Sequence, residues 1–199
     1  MKPLFNSYPI FSTTKGKASF GVELWERITY KFLLIRSENK NPWGMDTSLT
    51  KMNLSASQAI NPQWDVHFRE CKLEALQELF RQKSNAVSKE EVLAIVPQFK
   101  LITTTDKSTQ LNRYILGETN PSSIYHPCSV ELHEVTELSL SISEGGLEWG
   151  GAGATVQFDE VTGPRFKGEF EKYGATQLLN LFKKKGVNVS KQDLLNLAQ

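Results

Sequence analysis

From Phe20 onward, apolar and polar side chains alternate along the chain: Phe20, Val22 and Leu24, then Ile28, Tyr30, Phe32 and Leu34. A period of two in aromatic and branched residues predicts a β-strand with one buried face. Glu26 falls inside the buried series, so a turn or bulge is expected near Trp25–Arg27. The stretch Asn39–Gly44 (NKNPWG) predicts a turn, and Thr47–Ala56 a third strand. Further on, Leu138, Leu140 and Ile142 alternate within a strand expected over Val130–Ser143. A turn is expected at Glu144–Gly146, followed by a strand carrying Ala154, Val156 and Phe158.

After Pro62 and Pro164 the period becomes helical. Phe68, Cys71, Ala75, Leu76, Leu79 and Phe80 form one apolar stripe, and Phe170, Tyr173, Leu178, Leu181 and Phe182 form another. Ser88 and Ser190 are the expected N-caps of a closing helix in each case. Only Ser88, with Glu91 three residues on, matches the Ser-x-x-Glu capping box.

These two helical stretches align without a gap. Asn61–Pro97 lies over Gly163–Gln199 at a constant offset of 102, with ten of 37 positions identical. Weaker matches lie upstream: Val22–Glu26 with Val130–Glu134, Trp43-Gly44 with Trp149-Gly150, and Ile10–Thr14 with Leu101–Thr105. Arg113–Pro127 has no counterpart and is expected as an insertion. A self-similar period predicts two tandem diverged repeats, residues 1–98 and 99–199, packed as one globular unit. Each is an antiparallel β-sheet followed by a helical hairpin that covers it, which makes the class α+β.

Composition narrows the function. The chain has 199 residues, 39% hydrophobic and 23% charged, with a net charge of +1. No apolar run is long enough to cross a bilayer, and no signal peptide is apparent. Two cysteines, Cys71 and Cys128, suit reduced packing residues and an intracellular location. Residues 1–99 carry 13 Lys/Arg against 10 Asp/Glu, and residues 100–199 carry 10 against 12. That balance argues against a strongly basic duplex-DNA binder.

No motif supports catalysis, a cofactor or a metal. His67, His126 and His133 lack zinc-ligand spacing, and Gly145–Ala154 (GGLEWGGAGA) lacks the Gly-Lys-Ser/Thr of a phosphate loop. Its glycines suit a tight hairpin or the close approach of another backbone. A helix-turn-helix reading meets Glu90-Glu91 and Asp193 where phosphates would lie.

The outward side of the first long strand is more suggestive. Trp25, Arg27 and Lys31 share it, and Lys15, Lys17, Arg36, Trp43 and Lys51 lie on neighbouring strands and turns. An aromatic ring beside cations on a sheet is what single-stranded nucleic acid requires: bases stack on the ring and cations follow the phosphates. The equivalent position in the second half is His133, among Glu131, Glu134 and Glu137, a surface that would not attract phosphates.

Lys15-Gly16-Lys17-Ala18-Ser19-Phe20 (KGKASF) resembles the KGKAAL stretch of the plant Whirly proteins. The strand-then-helix plan is similar to the Whirly and PUR-type single-stranded nucleic-acid-binding fold. That resemblance implies single-stranded DNA or RNA as partner, Lys15 and Lys17 at the binding edge, and assembly of copies through helices. The second half departs from it, with Asp106-Lys107 in place of the lysine pair. The expectation is therefore a non-enzymatic single-stranded nucleic-acid-binding protein. Trp25 and Trp43 would stack bases; Lys15, Lys17, Arg27, Lys31, Arg36 and Lys51 would meet phosphates. The alternative is a subunit or adaptor of a protein assembly, its sheet aromatics buried at protein interfaces.

Overall fold

The computed structural model describes residues 1–39, 47–119, 128–146 and 149–198, with the backbone alone at 37–39, 47–50, 146 and 149–152. The strands are β1 (Leu4–Lys15), β2 (Ala18–Asn39), β3 (Thr47–Asn53), β4 (Lys100–Asp106), β5 (Thr109–Glu118), β6 (Cys128–Gly146) and β7 (Trp149–Val156). They join in the order β1-β2-β6-β5-β4, with β3 beside β2 and β7 beside β6. β1 pairs with β2, β2 with β3 and β6 with β7, each antiparallel. Helices α1 (Ala56–Ala59), α2 (Asp65–Glu70), α3 (Glu74–Lys83) and α4 (Lys89–Ile95) follow β3, and α5 (Pro164–Tyr173), α6 (Thr176–Lys185) and α7 (Lys191–Leu195) follow β7. The class is α+β.

Two compact units cut across a division of the chain at residue 98. Unit 1 holds Met1–Pro3, Thr29–Thr104 and Leu111–Val135; unit 2 holds Leu4–Ile28, Thr105–Gln110 and Thr136–Gln199. Both long strands, β2 and β6, give part of their length to each. In unit 1, Phe32, Leu34, Tyr114, Leu116, Val130 and Leu132 pack against Phe68, Leu76, Phe80 and Val92 of the first helices. The Phe32 ring meets Phe80 edge-on at 5.0 Å. In unit 2, Phe20, Val22, Leu24, Leu140 and Ile142 pack against Phe170, Leu178 and Phe182 of the last helices. Phe20 stacks on Tyr173 at 4.5 Å. Burial of each such side chain contributes about 1.5–3 kcal/mol.

Several expectations change. No turn interrupts the chain at Trp25–Arg27: β2 runs through it, and Glu26 is buried in the same row as Phe20, Val22 and Leu24. The break is chemical rather than geometric, because the carboxylate has partners waiting inside. The third strand stops at Asn53, and Ser55 instead caps α1 through a capping box with Gln58. Each helical hairpin is three short helices rather than two. Ser190 also makes a capping box, because Asp193 reaches back to its N–H at 2.9 Å. Arg113–Glu118 is no insertion; it belongs to β5. The glycine-rich stretch does form a hairpin, with Gly146 opposite Trp149. A Cβ on Gly145 would sit 2.7 Å from Ser19 Oγ, so what comes close there is a side-chain hydroxyl, which donates to the Gly145 carbonyl at 3.3 Å, and not another backbone.

Aligned positions share backbone geometry. Among described residues, three non-glycine residues have positive φ: Lys72 (59°), Ser84 (53°) and Lys107 (53°). At the offset of 102, Lys72 and Ser84 fall on Gly174 (81°) and Gly186 (59°). Lys107 turns the β4–β5 connection as Gly16 (65°) turns β1–β2. Glycine tolerates this region, whereas a Cβ clashes there.

Candidate nucleic-acid interface

The Gly16–Lys17 turn sets the register of β1 against β2, beginning with Lys15 opposite Ala18. A shift between Pro9 and Phe11 then leaves Phe5 opposite Arg27 and Ser7 opposite Trp25. Directly opposed residues share a face. Phe5, Ser7, Trp25 and Arg27 therefore form an outward patch, and Asn6, Tyr8, Leu24 and Glu26 face the helices.

The inward row shows how Glu26 is held. Lys191 Nζ, at the start of α7, donates to both its oxygens at 2.9 and 3.0 Å. Asn6 Nδ2 donates at 2.9 Å and the Tyr8 hydroxyl at 3.1 Å. The Lys191 ammonium also lies over the Tyr8 ring, 4.3 Å from its centroid. Burial pushes the Glu26 carboxyl up, but these donors outweigh it and hold the pKa below the usual value. Unit 1 holds a matching set: Lys89 Nζ donates to Glu134 at 2.5 Å, Asn112 Nδ2 donates at 2.8 Å, and the ammonium lies over Tyr114. Both lysines sit at the place a helix-turn-helix reading would turn toward DNA, and both point into their own sheet.

On the outward patch, Phe5 is 71% exposed and Trp25 is 44% exposed. Arg27 stands opposite Phe5, two residues along β2 from Trp25, its guanidinium carbon 5.7 Å from the Phe5 centroid and Nη1 3.9 Å from Glu137. Trp25 Nε1 donates to Glu23 at 3.1 Å, which fixes the indole while leaving its face open. A cleft of about 570 Å³ runs beside them, lined also by Leu138, Thr155 and Gln157. That volume is in the ordinary range of ligand clefts, and the lining combines rings, a guanidinium, hydroxyl and amide ends and the carboxylates of Glu26 and Glu137.

Of the expected residues, Lys15, Lys17, Trp25 and Arg27 belong to unit 2, the lysines exposed at the hairpin turn. Lys31 and Lys51 are exposed in unit 1 and do not line this cleft. Arg36 is a correction. Its even position puts it in the row of Phe32 and Leu34, where its charge is felt by His67 and Cys128, so it is not on the outward face. Trp43 lies outside the described residues, as does His126. Phe5, which sequence reasoning missed, is the most exposed large apolar side chain among those described.

Unit 1 shows why the patch is confined to unit 2. There Leu33, Ile35, Ile115, Glu131 and His133, in the alternate positions of their strands, are all buried. His133 is therefore not a surface residue: its Nε2 lies 2.5 Å from Glu131, which also takes a two-pronged bond from Arg113 at 3.0 and 2.7 Å. Burial pushes Glu131 up, but His133 and Arg113 prevail and hold it at about 2. The cysteines are free and buried, with Cys128 Sγ 3.8 Å from His67 Nδ1. The hydrogen bond to Cys128, together with burial, pushes the Cys71 thiol up. Among the described residues no group of three or more His, Cys, Asp or Glu is arranged to hold a metal ion. Among the described residues no helix is long and apolar enough to cross a membrane. No protein-family model, curated protein or solved structure matches this chain.

Proposed function

We propose that the outward patch of unit 2 binds single-stranded nucleic acid. One observation carries the reading: two exposed aromatic rings, Phe5 and Trp25, lie on adjacent strands beside a guanidinium and an open cleft of about 570 Å³. Stacking on each ring contributes roughly 1–3 kcal/mol per base, and any base has a face to offer. Arg27 adds a cation that also stacks, and Lys15 and Lys17 stand at the hairpin turn of the same unit for phosphates. The resemblance of KGKASF to the Whirly proteins points the same way.

Fluorescence anisotropy with labelled oligo(dT) and oligo(rU) at low salt tests it. Binding is expected, weakened about tenfold or more by Trp25→Ala and by Phe5→Ala. Absence of binding to either oligonucleotide, or binding indifferent to both substitutions, removes the proposal.

A second reading, a subunit of a protein assembly, is favoured by a different observation. Among the described residues β1 pairs with β2 alone, and its free edge carries exposed Leu4 and Phe5. An open edge with apolar side chains is a place where another chain adds.

A further inference from the structure

The free edge of β1 has a counterpart that is not free. β5 stands beside β6 as β1 stands beside β2, and the same residue types mark the place: Asn112 and Tyr114 serve Glu134 as Asn6 and Tyr8 serve Glu26. On its other side β5 is covered by β4, with Thr103 Oγ1 2.9 Å from Asn112 Oδ1. Nothing among the described residues takes that position on β1. Leu4 is 50% exposed there, next to Phe5.

We propose that a second copy of this chain fills the position, adding its own β1 antiparallel to β1 over Leu4–Tyr8. Three features of the strand select that occupant. Leu4–Thr14 contains no charged residue, so an identical strand brings no like charges together, whereas an acidic or basic peptide finds no complement. Pro9 has no N–H to donate, and the register shift beside it ends regular pairing, which limits the usable edge to five residues. A two-fold axis through Asn6 then sets Phe5 of one copy opposite Ser7 of the other, and Leu4 opposite Tyr8. Along the outward face the row reads Trp25, Ser7, the second copy's Phe5, the second copy's Arg27. The small Ser7 leaves room beside Trp25, and a phenyl ring from the second copy covers it.

Each cleft is thereby completed by an aromatic from the other copy, giving a platform of two Trp25 and two Phe5 rings. The role of that platform in stacking bases rests on the function proposed above; the strand pairing does not. A pairing this short is reversible, with dissociation in the micromolar range.

Sedimentation velocity of the full chain without oligonucleotide, over micromolar to hundreds of micromolar, tests the pairing. A rise from one chain to two with concentration is expected. Ser7→Lys, an exposed change on the free edge, should hold the protein monomeric with an unaltered melting temperature. A protein that stays monomeric throughout, or a dimer that survives Ser7→Lys and Leu4→Lys together, overturns it. A dimer that ignores oligonucleotides sinks the function and leaves the pairing standing. A monomer that binds them through Trp25 does the reverse.

Discussion

Lys191 Nζ lies 2.9 Å from Glu26, a carboxylate buried in the middle of an otherwise apolar row. Its match, Lys89 on Glu134, does the same in unit 1. Such a pair contributes little net stability as a whole, but loses much when one member is removed, because the other is left buried and uncompensated. Lys191→Met is therefore expected to cost about 2–3 kcal/mol in urea unfolding. Adding Glu26→Met should restore most of it. If the double variant is weaker than the single one, the pair is holding more than a desolvated charge.

Acid should unfold the protein through a narrow set of carboxylates. Glu131 has its pKa lowered from 4.5 to about 2, and Glu26 and Glu134 are lowered too. A depressed folded-state pKa contributes stability that is complete above the unfolded value and is lost as pH falls toward the folded one. The melting temperature is expected to fall between pH 4.5 and about 2, with Glu131 alone contributing on the order of 3 kcal/mol. Glu131→Gln should lower the melting temperature at neutral pH and flatten that acid limb.

The left-handed residues offer the opposite kind of test. Lys72→Gly and Ser84→Gly place in the first half the residue that the second half already uses at Gly174 and Gly186. Each is expected to stabilise by up to about 1 kcal/mol in chemical denaturation, since the Cβ penalty disappears. Gly174→Ala should be destabilising by a similar amount.

Two other glycines differ in surroundings and should differ in outcome. A Cβ on Gly117 would lie 2.8 Å from the Cys71 carbonyl oxygen and 3.1 Å from Leu73 Cδ1, so Gly117→Ala is expected to cost about 1–3 kcal/mol. Gly168, within α5, has nothing within 4 Å of that position. Gly168→Ala should raise the melting point, by up to about 1 kcal/mol of helix propensity.

Salt dependence will report how many cations meet phosphates. With Arg27, Lys15 and Lys17 as the contacts, the slope of log affinity against log salt is expected near about −2 for a single strand. A slope several times steeper would mean that cations elsewhere in the chain bind.

Much of this was readable in the chain. The alternation from Phe20 to Leu34 gave the buried row, and the offset of 102 marked the aligned helices together with their capping serines and their lysines. What could not be read is instructive. Counting back from the Gly16–Lys17 turn without the shift at Pro9 puts Phe5 opposite Ile28, on the helix side. A slip of one residue changes the face of every side chain beyond it, and so hid the ring nearest Arg27. Glu26 looked like a break because its partners come from two distant places in the sequence, Asn6 and Tyr8 on β1 and Lys191 on α7. Arg36 was placed outward by proximity to cations, although parity with Phe32 and Leu34 already put it inside.

The sharing of β2 and β6 between units bears on how the protein is made. Unit 1 takes residues 111–135 from the later part of the chain, and unit 2 takes residues 4–28 from its very beginning. On the ribosome, then, the first helices emerge after β2 and β3 but before β5 and β6, which complete the sheet they cover, and the hairpin of β1 and β2 waits for α5–α7. Neither core can close early, and the nascent chain carries exposed apolar strands for most of its synthesis.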